Sequence, residues 1–257
     1  MHRRTWLSIA MLAVGASLLV AAGFASPAES GSTKSDLKKG GTLRVNHPGG
    51  DIDDIDPSLA YATSSWHIQY STALKLLNYP DAPSPKGTRL VPEGASGYKV
   101  SSGGKVYTFT IKKGFKFSDG SNVTAANYAY AINRAADKEL QSPAFQFISD
   151  PNGSNIIGAQ AVRDGKAANM SGVVVKGNKL IIKMTKADAT FLAKITMPFF
   201  QAISKKVSRS KKIITVEGND LPSAGPYYVS AREPNRSVVV KKNPFYKGKR
   251  PRNLNQI

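Results

Sequence analysis

Cysteine is absent from the 257 residues. That excludes disulfides, thiolate zinc sites, iron–sulfur clusters and cysteine nucleophiles together. Histidine is almost absent: His2 sits in a segment with the marks of a leader, which leaves His47 and His67. Two scattered histidines, and no Gly-x-Ser-x-Gly elbow, argue against an acyl-transfer triad. Acids are scarce too. Against 36 Lys and Arg there are 17 Asp and Glu, a formal charge of +19, and nothing in the sequence brings two carboxylates together for glycosidase chemistry. The near-motifs also fail. Counted as a calcium loop from Asp51, the run to Asp56 has Ile55 at a ligand position, Asp56 at the required glycine and Ala62 at the closing glutamate. Carboxylates capping a helix account for that cluster better. In Gly158–Lys166, Gln160 displaces the first glycine of a phosphate loop and Ala167 its Ser/Thr. Lys113-Gly-Phe-Lys-Phe117 misses an RNA-binding strand, because Lys116 fills a place that must be small.

What remains is globular: 41% hydrophobic and 21% charged residues are a balance that supports a packed core. Arg3 and Arg4 precede an apolar run from Trp6 to Phe24, and small residues follow at Ala25, Ser26 and Ala28. This is the three-part layout of a signal peptide over 1–28. Export is expected, to the periplasm or the cell surface, with no lipoprotein cysteine behind the run. Residues 29–39 are polar and read as a linker. The basic excess concentrates late: Gln201–Ile257 holds 13 Lys or Arg against Glu217, Asp220 and Glu233, or +10. Such a surface favours anionic partners, but export demotes nucleic acid.

Strands and helices are mixed without regular alternation. Gly41–Val45 reads as a strand, and Asp56-Pro57 as the start of a helix whose apolar side is Trp66, Tyr70, Ala73 and Leu77. Tyr98–Val100, the turn Ser101–Gly104 and the alternation Tyr107, Phe109, Ile111 predict a hairpin. Thr124 caps a helix with Tyr128, Ala131, Ile132 and Ala135 on one face. Val173–Val175 and Leu180–Met184 flank a second hairpin turn, Ala187–Ile195 is a short helix, and Tyr227–Val229 and Val238–Lys241 are late strands.

The run Tyr107–Asn127, YTFTIKKGFKFSDGSNVTAAN, resembles the signature of the family 5 extracellular solute-binding proteins, receptors of ABC importers for peptides, nickel and related solutes. Tyr107, Thr108, Phe109, Gly114, Phe117, Asp119, Gly120, Thr124 and Ala125 match it. Asn122 stands where the family often has proline and Asn127 where it has aspartate, departures expected to weaken the following cap. Gly40–Val45 with Asp56-Pro57, Gly225-Pro-Tyr227 with Asn243-Pro-Phe-Tyr246, and Arg250–Ile257 resemble further family segments in order, so the resemblance covers 40–257.

The resemblance implies an α+β fold: lobe I of a two-lobe clamshell with a mixed sheet, its base formed by 38–78 and 186–257, and 79–185 inserted as a subdomain. Gly41–Val45 is then expected to pair with the late strands near Val229 or Val239. It implies a binding protein rather than an enzyme, without cofactor or metal. The expected partners are a peptide or other small solute and ABC permease subunits, not nucleic acid, and a monomer is expected. The loop before the first helix, Thr63, Ser64 and Ser65, and the aromatic Phe145 after Ser142-Pro143 are the implied ligand contacts. Family members continue into a second lobe beyond the point matching Ile257, so an incomplete chain without lobe II is expected. The alternative is an exported basic protein that holds anionic cell-wall polymer.

Overall fold

The computed structural model describes residues 39–47, 50 and 52–257. The expected leader, the linker up to residue 38, and Asp51 lie outside the described residues. Within them the chain forms α1 (Thr63–Thr72), β1 (Leu77–Asn78), β2 (Val91–Pro92), β3 (Ala95–Ser101), β4 (Val106–Ile111) and α2 (Ala125–Ala135). It continues with α3 (Ala159–Arg163), β5 (Val173–Lys176), β6 (Lys179–Lys183), α4 (Phe191–Lys194), β7 (Val216–Glu217), β8 (Tyr227–Glu233) and β9 (Ser237–Lys242). Single 3-10 turns lie at Pro143–Phe147 and Pro198–Phe200. The class is α+β.

The centre is an antiparallel sheet of order β3-β4-β6-β5. Period-two alternation sends Tyr107, Phe109 and Ile111 of β4 inward and leaves Val106, Thr108 and Thr110 half-buried. The first hairpin closes through the four residues 102–105, of which Ser102, Gly103 and Gly104 take positive φ (53°, 61° and 86°), conformations that the two glycines adopt without strain. Helix α2 packs on β5 and β6, burying Tyr128, Ile132 and Ala135 in the main core and Ala131 in a second cluster with Ile55, Ile203, Val216 and Val229.

The cap of α2 corrects the expectation about Asn127. Its Oδ1 accepts the Thr124 amide at 2.9 Å and the Thr124 hydroxyl at 2.9 Å, while its Nδ2 donates to the Ile203 carbonyl at 3.0 Å. An aspartate would close the cap but could not make the last bond, so asparagine strengthens the site.

Helix α1 also differs from expectation. It starts at Thr63 rather than Asp56, ends at Thr72, and buries Ser65, Gln69 and Thr72 instead of Trp66 and Tyr70. The reason lies in the partners. The Asp56 carboxylate is taken by Arg134, and both side chains are fully buried. Gln69 Nε2 donates to Ile55 O at 2.9 Å, and its Oε1 accepts from Gln201 at 2.9 Å. Buried polar groups so satisfied carry little penalty. The short helix expected at 187–195 shrinks to α4, because Asp188 accepts the Thr190 amide at 2.8 Å and holds the preceding turn.

The opening segment does not pair with Val229 or Val239. Thr42 bridges Gln256 in parallel, and Ile257 exchanges two 2.8 Å bonds with Val240, so the chain's last residues lie between 40–43 and β9. The strand expected over Gly41–Val45 is thus reduced to a single bridge at Thr42, and isolated bridges, one of them parallel, continue the β7-β8-β9 sheet past β9.

The Gly-Pro-Tyr and Asn-Pro elements meet at one junction. Asn243 Nδ2 donates to Ser223 O at 3.1 Å and Gly225 O at 3.0 Å, and its Oδ1 accepts the Phe245 amide at 2.9 Å. Gly225 N donates to Thr72 O at 2.8 Å, which ties the junction to the end of α1. A Cβ at Gly225 would be driven into the Thr72 carbonyl and to 2.6 Å from Ala73 O. Gly225→Ala is therefore expected to cost about 1–3 kcal/mol by overpacking, read as a lowered urea midpoint; an unchanged midpoint would show that the α1 end yields freely.

Candidate ligand-binding surface

Thr63, Ser64 and Ser65 do not form the loop before α1: they are its first turn, behind the N-cap Ala62. The helix begins there because Asp53 Oδ2 accepts the amides of Tyr61 at 2.7 Å and Ala62 at 2.8 Å, and its Oδ1 accepts the Ser65 hydroxyl. Burial opposes the charge on Asp53, but the bonds from Ser65, Ala62, Tyr61 and Asp54 outweigh it and hold the carboxyl below its usual range. An anion at the helix N-terminus also favours the dipole. The capping role read from the acidic cluster thus belongs to Asp53. Ser65 is fully buried and committed to that cap, whereas Thr63 is exposed and Ser64 half-buried.

Phe145 is half-buried against the main core. The Arg163 guanidinium covers its ring at 4.2 Å and donates to Ser142 O at 3.0 Å. Ser142 in turn accepts the Ala144 amide at 3.1 Å and donates to Ser58 O, which fastens this turn to the segment leading into α1.

An aromatic ridge joins the two segments. Buried Phe199 has Tyr61 at 6.1 Å, Phe147 at 6.1 Å and Trp66 at 5.7 Å between ring centroids. Trp66 meets Tyr70 edge-on at 6.1 Å and donates through Nε1 to Ala60 O at 2.8 Å. Tyr61 is 52% exposed and Tyr70 43%, so the ridge runs from core to solvent. Sequence reasoning missed Tyr61, Phe147 and Phe199. The apolar run Met197–Phe200 was the available signal for the last, but nothing local tells which partners it gathers.

At the other end of α1, Arg250 donates to the carbonyls of Tyr70 and Ala73 and pairs with Glu93 at 2.7 Å. A cation on the last carbonyls of a helix caps it. Hydroxyls and aromatic faces recognise a solute without breaking a bond. Among the described residues no group of three or more His, Asp or Glu could hold a metal ion, and no helix is long and apolar enough to cross a membrane.

The family model for bacterial extracellular solute-binding proteins, family 5 (middle region), matches residues 89–257. This chain belongs to that family. The oligopeptide-binding protein OppA of Bacillus subtilis is 29% identical over 95% of the chain and 43% of its own length. The periplasmic murein peptide-binding protein MppA of Escherichia coli is 31% identical over 61% of the chain and 29% of its own length. Among solved structures, MppA in an unliganded open form superposes with a TM-score of 0.67 at 26% identity, over 82% of this chain and 39% of that one. A clavulanic acid biosynthesis oligopeptide binding protein reaches 0.71 at 22% identity, over 85% and 40%, which shows the shared fold. The chain thus spans well under half the length of these relatives. They are binding proteins, and the alternative of a polymer-holding wall protein is not favoured by them.

Proposed function

We propose that this chain supplies one wall of an extracytoplasmic receptor that captures peptides for an ABC importer and performs no catalysis. The base formed by 38–78 and 186–257, with 79–185 inserted, is the frame of that wall. The observation that carries the reading is the half-open ridge of Tyr61, Trp66 and Tyr70 beside Thr63 and Ser64, in a chain whose relatives are named for peptides. Aromatic faces take side chains of varied shape, and exposed hydroxyls and amides bond a peptide backbone directly or through water. In this arrangement Thr63 and Ser64 are polar contacts and Phe145, braced by Arg163, is a rim contact.

Trp66 is a built-in reporter, because the other tryptophan, Trp6, lies in the expected leader. A Trp6→Phe chain titrated with mixed tripeptides to pentapeptides is expected to show a saturable emission change. Its dissociation constant is expected near about 1 mM, the affinity of a surface that leaves one side of its ligand in water. Tyr61→Ala should weaken it about tenfold. No change approaching saturation by about 10 mM peptide, ten times the expected dissociation constant, or a change indifferent to Tyr61, would refute the site. Permease and ATPase genes beside this one would support the importer partner.

A further inference from the structure

We propose that the solvent face of the four-stranded sheet is a docking platform for an anionic lipid bilayer surface. The ladder register places Lys99 level with Thr108 and Ile181, Lys179 level with Thr110 and Lys176, and Lys183 level with Val106. These residues share the face opposite Tyr107, Phe109, Leu180 and Ile182, which enter the core. Lys99, Lys176, Lys179 and Lys183 are exposed, and the ion pairs among the described residues include none of them. The stretches that build the face carry no acid of their own. Residues 94–118 hold five lysines and residues 169–187 four, with no arginine and no acid in either stretch.

Geometry selects the partner. With strands about 4.8 Å apart and alternate residues about 6.8 Å along a strand, Lys99, Lys179 and Lys183 mark a triangle with sides of about 12–14 Å. A linear polyanion follows one side of that triangle. A charged plane meets all three corners, and Lys176 as well. The sheet twists by about 20° per strand, which long lysine stems can level. The face presents no aromatic wedge, and Val106, Val174 and Ile181 are half-buried between the lysine stems. Contact is therefore electrostatic and superficial, held by headgroup charge without insertion. This inference goes beyond peptide capture and stands independently of it.

The test is flotation of the complete chain with vesicles of phosphatidylglycerol and phosphatidylcholine, against pure phosphatidylcholine, at low and high salt. Three proteins are compared: the unaltered chain; Lys99→Glu/Lys179→Glu/Lys183→Glu; and Lys205→Glu/Lys241→Glu/Lys249→Glu. Three reversals remove six charges, so both variants carry 19 − 6 = +13, and all six positions are exposed. Exposed substitutions of this kind barely change stability, which circular dichroism would verify. Binding driven by the apolar stretch 6–24 is common to all three and appears on neutral vesicles, where it is subtracted. The expected result is salt-sensitive binding to anionic vesicles, about a hundredfold weaker in the sheet variant and within about threefold of the unaltered chain in the other. Equal losses in both variants would reduce the effect to net charge and overturn the proposal. So would no binding by the unaltered chain, or lysine-dependent binding to linear polyphosphate without binding to vesicles.

Discussion

Arg134→Leu is expected to destabilise the chain by about 3–5 kcal/mol, a large part of the 5–15 kcal/mol that holds a typical domain together. The guanidinium meets both Asp56 oxygens, the second at 2.7 Å, and also donates to Ser208 O at 2.8 Å and Lys211 O at 3.0 Å. Asp56 further accepts the amides of Ser58 at 2.9 Å and Ile213 at 3.1 Å. One ion pair thus fastens the turn at 56–59, helix α2 and the segment 208–213 to each other. Removing the arginine leaves a buried carboxylate without a counter-charge and two carbonyls without their donor, and that orphaning, more than the lost attraction, sets the cost. A paired replacement, Asp56→Leu with Arg134→Leu, removes both charges and should recover a good part of the loss. Urea unfolding of the two variants beside the unaltered chain measures this. A single-variant loss under about 1 kcal/mol would show that water reaches Asp56.

The same pair explains where the sequence was readable and where it was not. Asp56-Pro57 has the local form of a helix start, and local form is all that a single sequence displays. The partner that claims Asp56 is 78 positions away, a separation no capping rule can see. The two central hairpins and α2 were legible because their signals are local: alternation at Tyr107, Phe109 and Ile111, turn glycines, and a helical period from Tyr128 to Ala135. Polar residues on the buried side of α1 defeated the same logic, since Ser65, Gln69 and Thr72 are inside only through bonds to Asp53, Ile55 and Gln201 or to α1's own backbone. The candidate site was legible in part. Motif resemblance pointed to Thr63–Ser65 and Phe145, but Ser65 is spent on the helix cap, and the ridge of Tyr61, Trp66, Phe147 and Phe199 exists only after residues from 61 to 199 converge.

Lys75→Met should raise stability at neutral pH, with a gain that disappears in alkali. Lys75 is 1% exposed. Burial lowers its pKa from 10.5 to about 8; Glu93 opposes the shift and Arg250 adds to it. The Tyr70 ring, 4.5 Å from Nζ, recovers part of the loss by cation–π attraction. Because the folded pKa lies below the unfolded one, the folded state binds fewer protons between about 8 and 10.5. The charged lysine therefore destabilises the fold fully below about 8, and the penalty is relieved as pH rises through that window. The displacement amounts to at most about 3 kcal/mol, so methionine, which keeps the stem and drops the charge, is expected to gain about 1–3 kcal/mol at pH 7. Glu93 is not orphaned by the change, since Arg250 stays 2.7 Å away. Urea midpoints at pH 7, 9 and 10.5, taken as the difference between the two proteins, isolate the effect, because groups distant from Lys75 titrate alike in both. The gain should shrink at pH 9 and be nearly gone at pH 10.5. A variant less stable at pH 7, or a difference that ignores pH, would mean that the ammonium is held by its partners rather than burdened by burial.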